Sequence, residues 1–469
     1  MVFSSMVFLW IFLPIVFVGS LVVRRTRYQN ILLLLASLIF YAWGEPSYVL
    51  LLLVSILMNW SFGLLIDRFR GKAKLFLVLA VAGNLGILAY FKYTDFLIGT
   101  VNSLIPGLNL PLANISLPIG ISFFTFQAMS YVIDLYRGQI KVQKNLLYLA
   151  LYVSFFPQLI AGPIVKYRDI ELQIENRTVT MEGVTSGIRR FIYGLGKKVI
   201  LSNLIAVACD NLYDVEPGQM TGAIAWLCAI TYTLQIYYDF SGYSDMAIGL
   251  GRMFGFQFLE NFNYPYVSSS IREFWRRWHI SLSSWFRDYL YIPLGGNRKG
   301  KLRTYLNNAI VFFCTGLWHG ASWTFVFWGL FHGFFLILER MGLGKLLDRS
   351  KVISRVYTLL VVMVGWVFFR AEDMGLGLAI VQRMFLPWLY TESDVILGTL
   401  IGTEALIAAV LGILGCGVLQ AFFTAPGTSA LAAKWKGSAP EALWCCLVLF
   451  ASIVFLANNT YNPFIYFRF

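Results

Sequence analysis

Apolar stretches follow one another along almost the whole chain, divided by short polar turns and never by a long polar block. The first covers residues 7–23 and ends in Arg24, Arg25 and Arg27. Residues 31–43 lead to the tight turn Gly44-Glu45-Pro46, residues 48–66 end in Arg68, Arg70, Lys72 and Lys74, and residues 75–90 follow. A helix needs about 20 mostly apolar residues to cross a bilayer, so each stretch predicts a membrane helix. The two basic clusters are separated by two spans and share a side. Basic loops stay in the cytoplasm, which places the N-terminus outside. Residues 94–118 carry no Lys or Arg and read as an outer loop, and residues 119–135 return to Arg137, Lys141 and Lys144.

The pattern is less regular in the middle. Residues 146–164 are apolar but interrupted by Pro157, Gly162 and Pro163, with positive charge at both ends, which predicts a segment entering and leaving on one side. Broken backbone at membrane depth must be buried in protein or line a wet cavity. Residues 165–200 read as cytoplasmic, with Arg189, Arg190, Lys197 and Lys198 on an amphipathic helix. Later spans are expected at residues 223–238, 305–315, 318–338, 356–369, 397–422 and 442–456, for about 10–12 in all. The expected class is therefore an all-α polytopic membrane protein.

Composition agrees. Apolar residues make up 58% of the chain and charged residues 13%, against about 45–50% and about 25% in soluble domains; the mean hydropathy is +0.69. One membrane domain over residues 1–469 is expected, with no soluble domain attached. The net charge of +13 sits in short runs beside apolar segments. It fits the positive-inside rule and anionic lipid headgroups, and no base-reading motif points to nucleic acid. The six cysteines form no CxxC pair, which speaks against a metal or disulfide framework. The first span reads as retained, since no basic residue precedes it and no cleavage site follows. No GxSxG elbow, Walker A or dinucleotide-binding glycine pattern occurs.

Ionisable groups in apolar surroundings need a partner or a task, and two stretches concentrate them. In residues 237–256, Asp239 and Asp245 stand among Ser241, Ser244, Gly242, Gly249, Gly251 and Gly255. This reads either as small-residue packing, with the carboxylates satisfied by tyrosine and serine hydroxyls, or as part of a site. In residues 271–301, Trp275, Trp278, Trp285, Tyr289 and Tyr291 alternate with Arg272, Arg276, Arg277, Arg287 and Asp288. The mixture suits a helix lying at headgroup depth, or the wall of a substrate tunnel with His279 facing inward. The loop Gly295-Gly296-Asn297-Arg298-Lys299 can hold phosphates. The second stretch, residues 317–340, holds His319 and His332, two of the three histidines. On one continuous helix they would face nearly opposite ways, about 20 Å apart. Gly316, Gly320 and Ala321 are expected to leave room for a substrate beside His319, with Trp323 on the same face. A neutral imidazole there can take a proton from a hydroxyl as its oxygen attacks a thioester.

The motifs FFPQLIAGPI (155–164), YYDFSGYSDMAIGLGRMFGF (237–256), NFNYPYVSSSIREFWRRWHISLSSWFRDYLYIPLGGN (261–297), GLWHGASWTFVFWGLFHG (316–333), GWVFFRAE (365–372) and FIYFRF (464–469) together resemble the membrane-bound O-acyltransferase (MBOAT) family, specifically its bacterial alginate O-acetyltransferase branch. The resemblance implies a ring of about 10–12 transmembrane helices, with re-entrant and interfacial helices, around a central tunnel. It divides the chain into N-terminal helices (1–145), a catalytic core (146–340) and C-terminal helices (341–469). His319 matches the family's catalytic histidine and His279 its second signature histidine. Trp318, Trp323, Asp239 and Asp288 are candidate supporting residues, the two aspartates as groups that polarise a histidine. A direct His279–Asp288 pair would require the helix to break between them. Arg276, Arg277, Arg298 and Lys299, with Lys197 and Lys198, are candidates for the donor's phosphates. No metal and no permanently bound cofactor is implied; acetyl-CoA or an acyl-carrier thioester is the implied donor. The implied location is the bacterial inner membrane, with the C-terminus cytoplasmic. Membrane lipids surround the chain, and an extracytoplasmic SGNH-type acetyltransferase passes the acyl group on to a polysaccharide. Alternatives are D-alanyl or other acyl transfer from a carrier protein to a cell-wall polymer, a non-catalytic export channel, or a scaffold.

Overall fold

A computed structural model describes residues 1–389, 393–420, 434–458 and 464–465; within them every regular element is helical. Among the described residues, six helices are long and apolar enough to cross a membrane: Val49–Arg68, Arg70–Leu104, Met181–Tyr213, Trp323–Leu347, Lys351–Arg370 and Ala439–Asn458. Phe8–Val22, Met374–Phe385 and Thr403–Gly417 are apolar but shorter. The distribution of side chains is inverted relative to a water-soluble protein. Asn59, Asn84, Ser37 and Ser55 are buried, whereas Trp10, Ile15, Leu50 and Leu57 are exposed. Apolar surface on that scale needs lipid as its solvent. The protein is a multi-pass membrane protein.

Several helices depart from their expected bounds. The expected span 75–90 is part of Ala73–Leu104 and runs well into the expected loop 94–118. The remaining loop is tied back to that helix by Asp95, whose carboxylate accepts the N–H groups of Ala113, Asn114 and Ile115 at 2.7–3.2 Å. The expected span 223–238 belongs to a helix of 32 residues, Gly222–Met253. The expected span 397–422 divides into Leu397–Leu400, Thr403–Ile413 and Leu414–Val418. Residues 421–422, and residues 466–469 of the terminal motif, lie outside the described residues.

Two compact units interleave along the chain: Met1–Phe191 with Ser244–Leu259, and Ile192–Tyr243 with Glu260–Phe469. In the first, Asn59 and Asn84 exchange side-chain hydrogen bonds of 3.0 and 2.8 Å between adjacent helices. Such a reciprocal amide pair satisfies both polar groups away from water. Phe3, Phe8, Phe12, Phe40 and Phe156 form a ring-on-ring core with centroid separations such as 5.1 and 5.3 Å. The apolar segment 146–164 is indeed broken, into Leu146–Ser154 and Phe156–Leu159. Its backbone is satisfied from within: Ser37 Oγ accepts the Phe156 N–H at 3.1 Å, and Gln158 donates to the Tyr152 carbonyl at 2.5 Å.

The second unit contains the helical hairpin Lys301–His319 and Trp323–Leu338. Its helices touch almost backbone to backbone. A Cβ on Gly316 would lie 2.3 Å from the Phe325 carbonyl oxygen, and one on Gly329 would lie 2.2 Å from that of Phe312. Only glycine permits this approach, the small-residue mode of packing used between membrane helices.

Candidate active site

Both candidate histidines lie where a helix stops. Helix Ile271–Arg277 ends at Trp278, in extended backbone, and helix Ile280–Phe286 begins after His279. His279 has φ 43° and ψ 54°, a left-handed conformation that costs a side-chain-bearing residue roughly 1–3 kcal/mol. Neighbouring backbone stitches the break: Ile280 N–H donates to the Asn261 carbonyl at 3.0 Å, and Asn263 N–H to the Arg277 carbonyl at 2.9 Å. The Asn261 side chain adds a second clamp. Its Oδ1 accepts Ser281 N–H at 3.2 Å and the Ser281 hydroxyl at 2.9 Å, and lies 3.2 Å from His279 Nδ1. His279 is fully buried, with Phe240 edge-on at 4.6 Å. Desolvation pushes its imidazole below the usual histidine range, toward the neutral form.

His319 is the last residue of helix Lys301–His319, and the next helix starts at Trp323. The apolar stretch 317–340 is therefore not one helix, and a continuous-helix projection does not describe His319 and His332. The cause is local. Gly320 takes extended backbone (φ −160°, ψ 154°), and a Cβ on it would lie 2.1 Å from the Phe325 ring. Gly316 and Gly320 thus admit Phe325; they do not leave room for a substrate, as the sequence suggested. His319 is 3% exposed, with Trp318 and Trp328 at 5.0 Å and Phe369 at 5.3 Å between ring centroids. His279 and His319 are 6.3 Å apart, and Trp318 lies beside both. Trp323 starts the next helix and is 54% exposed, so it does not share a helical face with His319.

The third histidine packs differently. His332 is fully buried among rings, stacked on Phe274 at 6.1 Å and edge-on to Trp275 and Trp328 at 5.3 Å. Among the described residues neither of its nitrogens has a hydrogen-bond partner. It is a core residue of the hairpin.

A cavity of about 490 Å³ lies along the same elements. Ile280, directly after His279, and Thr315, one turn before His319, line it. Its inner wall includes Trp275, Phe286, Phe312 and Leu336, and four arginines line it as well: Arg272, Arg276, Arg287 and Arg340. Of the basic residues singled out in the sequence as phosphate ligands, Arg276 is in this wall. Arg277 turns instead to Glu273 at 2.8 Å and to the Asn263 carbonyl at 3.1 Å. Arg298 and Lys299 are exposed in the turn after Gly296.

The two candidate aspartates have other partners. Asp239 is fully buried; one oxygen receives Lys198 and, at 3.4 Å, the Ser202 hydroxyl, while the other accepts Ile465 N–H at 2.9 Å. Asp288 receives Arg287 Nε at 2.9 Å. The helix does break near His279, but before it and not between it and Asp288. Asp245, read as resting among hydroxyls, is held by Arg190 at 2.8 Å. Cations more than hydroxyls satisfy the carboxylates of this stretch.

Asn261, Phe240, Trp328 and Phe369 were not singled out by the sequence. Asn261 stands 18 positions before His279, and no helical or strand period links such a pair. The signal available was the polar NFNYP run itself, in apolar surroundings.

Comparison with known proteins establishes the family. Residues 137–369 match the membrane-bound O-acyltransferase family, MBOAT. Over the full length of both chains the protein is 42% identical to "Probable alginate O-acetylase AlgI" of Pseudomonas putida. The chain belongs to the MBOAT family. It is also 37% identical to "Peptidoglycan O-acetyltransferase" of Helicobacter pylori, over 82% of this chain and 80% of that one. A "Teichoic acid D-alanyltransferase" of Bacillus subtilis is 30% identical over 46% of this chain and 56% of its own. As an MBOAT protein the chain is an O-acyltransferase, and both histidines lie in the matched region.

The Lys198–Asp239 pair gives a prediction. Lys198→Met leaves a buried carboxylate without its cation, a change that costs about 3–5 kcal/mol. The half-life of the detergent-solubilised protein on heating should fall sharply, and the double variant Lys198→Met/Asp239→Leu should recover most of the loss.

Proposed function

We propose that this MBOAT enzyme takes an acyl group, acetyl in the first instance, from a cytoplasmic thioester and delivers it across the membrane for O-acetylation of a polysaccharide. One observation carries the reading: two buried histidines 6.3 Å apart, whose flanking residues line a cavity edged with arginines. Coenzyme A and acyl-carrier proteins both present their thioester on a phosphopantetheine arm. Such an arm has an anionic end for arginine forks and a slender end that fits between apolar walls. Arg272, Arg276 and Arg287 meet the anionic end, and the thioester reaches the histidines.

His319 then takes the proton of the attacking hydroxyl. The hydroxyl oxygen bonds to the thioester carbon, the tetrahedral intermediate collapses with cleavage of the C–S bond, and the proton passes from His319 to the departing sulfur. The products are an ester and a thiol. His279 orients the arm or assists the thiol. In the ring architecture of the family the arginine-edged cavity forms the cytoplasmic mouth of a central tunnel, and the N-terminus lies outside. The acceptor approaches from the outer side, where an SGNH-type acetyltransferase hands the group to the polymer. The names of the relatives, which include alginate and peptidoglycan O-acetylation, support a polysaccharide as the final acceptor.

Replacing His319 with Gln should lower acetylation of the exported polymer by on the order of 10²-fold or more, the weight of a general base, with membrane levels of the protein unchanged. Normal acetylation at normal levels would favour a channel or scaffold. Reversing Arg276 and Arg287 to Glu should raise the donor KM about tenfold or more, the equivalent of about 1.4 kcal/mol, in a membrane-vesicle assay with acetyl-CoA. An unchanged KM would remove those arginines from the donor site.

A further inference from the structure

The acceptor on His279 identifies which of its nitrogens carries the proton. Asn261 is 1% exposed, and its side-chain oxygen stands 3.2 Å from Nδ1 of the imidazole. The amide could in principle be turned so that its nitrogen stood there. Ser281 excludes that. Its main-chain N–H, which can only donate, points at the same Asn261 atom from 3.2 Å. An amide nitrogen in that place would set donor against donor, so the atom is the oxygen. The Ser281 hydroxyl donates to that oxygen at 2.9 Å, closer than the 3.4 Å that separates it from Nδ1, so its proton goes to Asn261 and not to the ring. An unprotonated Nδ1 would then press its lone pair against an oxygen inside a buried site, where an unmet polar pair is costly.

We infer that Asn261 is a positioning residue that holds His279 as its Nδ1–H tautomer, so that Nε2 is the basic nitrogen of the histidine pair. The inference rests on the acyl-transfer reading for its consequence, and on geometry alone for its content. The left-handed backbone at His279 and the Ile280 N–H bond to the Asn261 carbonyl fix the ring against the amide, so the tautomer is built into the helix break. The consequence divides the labour at the site. A neutral His279 with its proton committed to Asn261 has no proton for the departing sulfur. It accepts a hydrogen bond from an N–H or O–H of the substrate, and so holds the substrate in line. The proton that reaches the sulfur comes from His319, which has taken it from the hydroxyl. Proton and bond counts close without a further reactant.

The test is nitrogen NMR of the full-length protein in lipid nanodiscs with ¹⁵N-labelled histidine, the His279 signals being assigned by their loss in His279→Gln. The expected spectrum shows His279 protonated at Nδ1 and bare at Nε2 at neutral pH. Asn261→Leu should move the proton to Nε2 or mix the two forms, and lower kcat by on the order of 10–10²-fold with the donor KM little changed. Asn261→Asp keeps an acceptor oxygen in place and should restore the Nδ1–H form and most of the kcat. A wild-type His279 protonated on Nε2 would overturn the inference, as would a tautomer indifferent to Asn261→Leu. The spectrum needs no turnover, so it fails or succeeds apart from the acyl-transfer reading.

Discussion

Interrupted backbone in an apolar chain must find its hydrogen bonds inside the protein, because lipid supplies none. The candidate site is organised around two such interruptions. At Trp278–His279 the bonds come from the 261–263 segment, through the Asn261 carbonyl and side chain and the Asn263 N–H. At His319–Gly320 the helix gives way to an extended glycine closed over by Phe325. A continuous helix buries its main chain in its own ladder and presents only side chains. A helix that ends within the protein presents a side chain at its tip, in a direction that the following turn sets. Both histidines are placed in that way.

The packing around the breaks has a matching logic. The hairpin that carries His319 closes to backbone contact at Gly316 and Gly329, which brings Trp328 against both His319 and His332. Trp366 and Phe369, one turn apart on Lys351–Arg370, reach Trp278 at 4.8 Å and His319 at 5.3 Å. Rings therefore surround both imidazoles, and the low polarity of that wall favours the neutral form of His279. Charge sits in the cavity's arginines and in pairs such as Lys198–Asp239. Imidazoles walled by rings, beside a cavity lined with arginines, are the setting that the proposed thioester donor with its anionic tail requires.

The all-helical membrane class and the apolar setting of the histidines were legible in the sequence because hydropathy and rarity are local signals. Long apolar runs are visible without any knowledge of packing, and so is a histidine among tryptophans. What the sequence did not disclose depended on chain path. Residues 317–340 read as one helix because nothing in their hydropathy marks Gly320 as a stop; the Phe325 ring that needs the space is seen only in three dimensions. Asp239 read as a partner for histidine because its true partners, Lys198 and the Ile465 N–H, stand 41 and 226 positions away. Among the basic residues, a run of neighbouring arginines gave no hint that Arg276 turns to the cavity and Arg277 to Glu273. The family motifs drew attention to this region and left these orientations open.

In the proposed mechanism acyl transfer occurs between His279 and His319, inside the membrane-embedded protein. The most direct measurement is a structure of the protein in nanodiscs with a non-reactive thioether analogue of acetyl-CoA. The proposed mechanism predicts the carbon that replaces the thioester carbonyl within about 4 Å of the His319 ring, close to attack distance, with the analogue's phosphates against Arg272, Arg276 and Arg287. An analogue seated with its reactive end remote from both histidines, at saturating concentration, would contradict it.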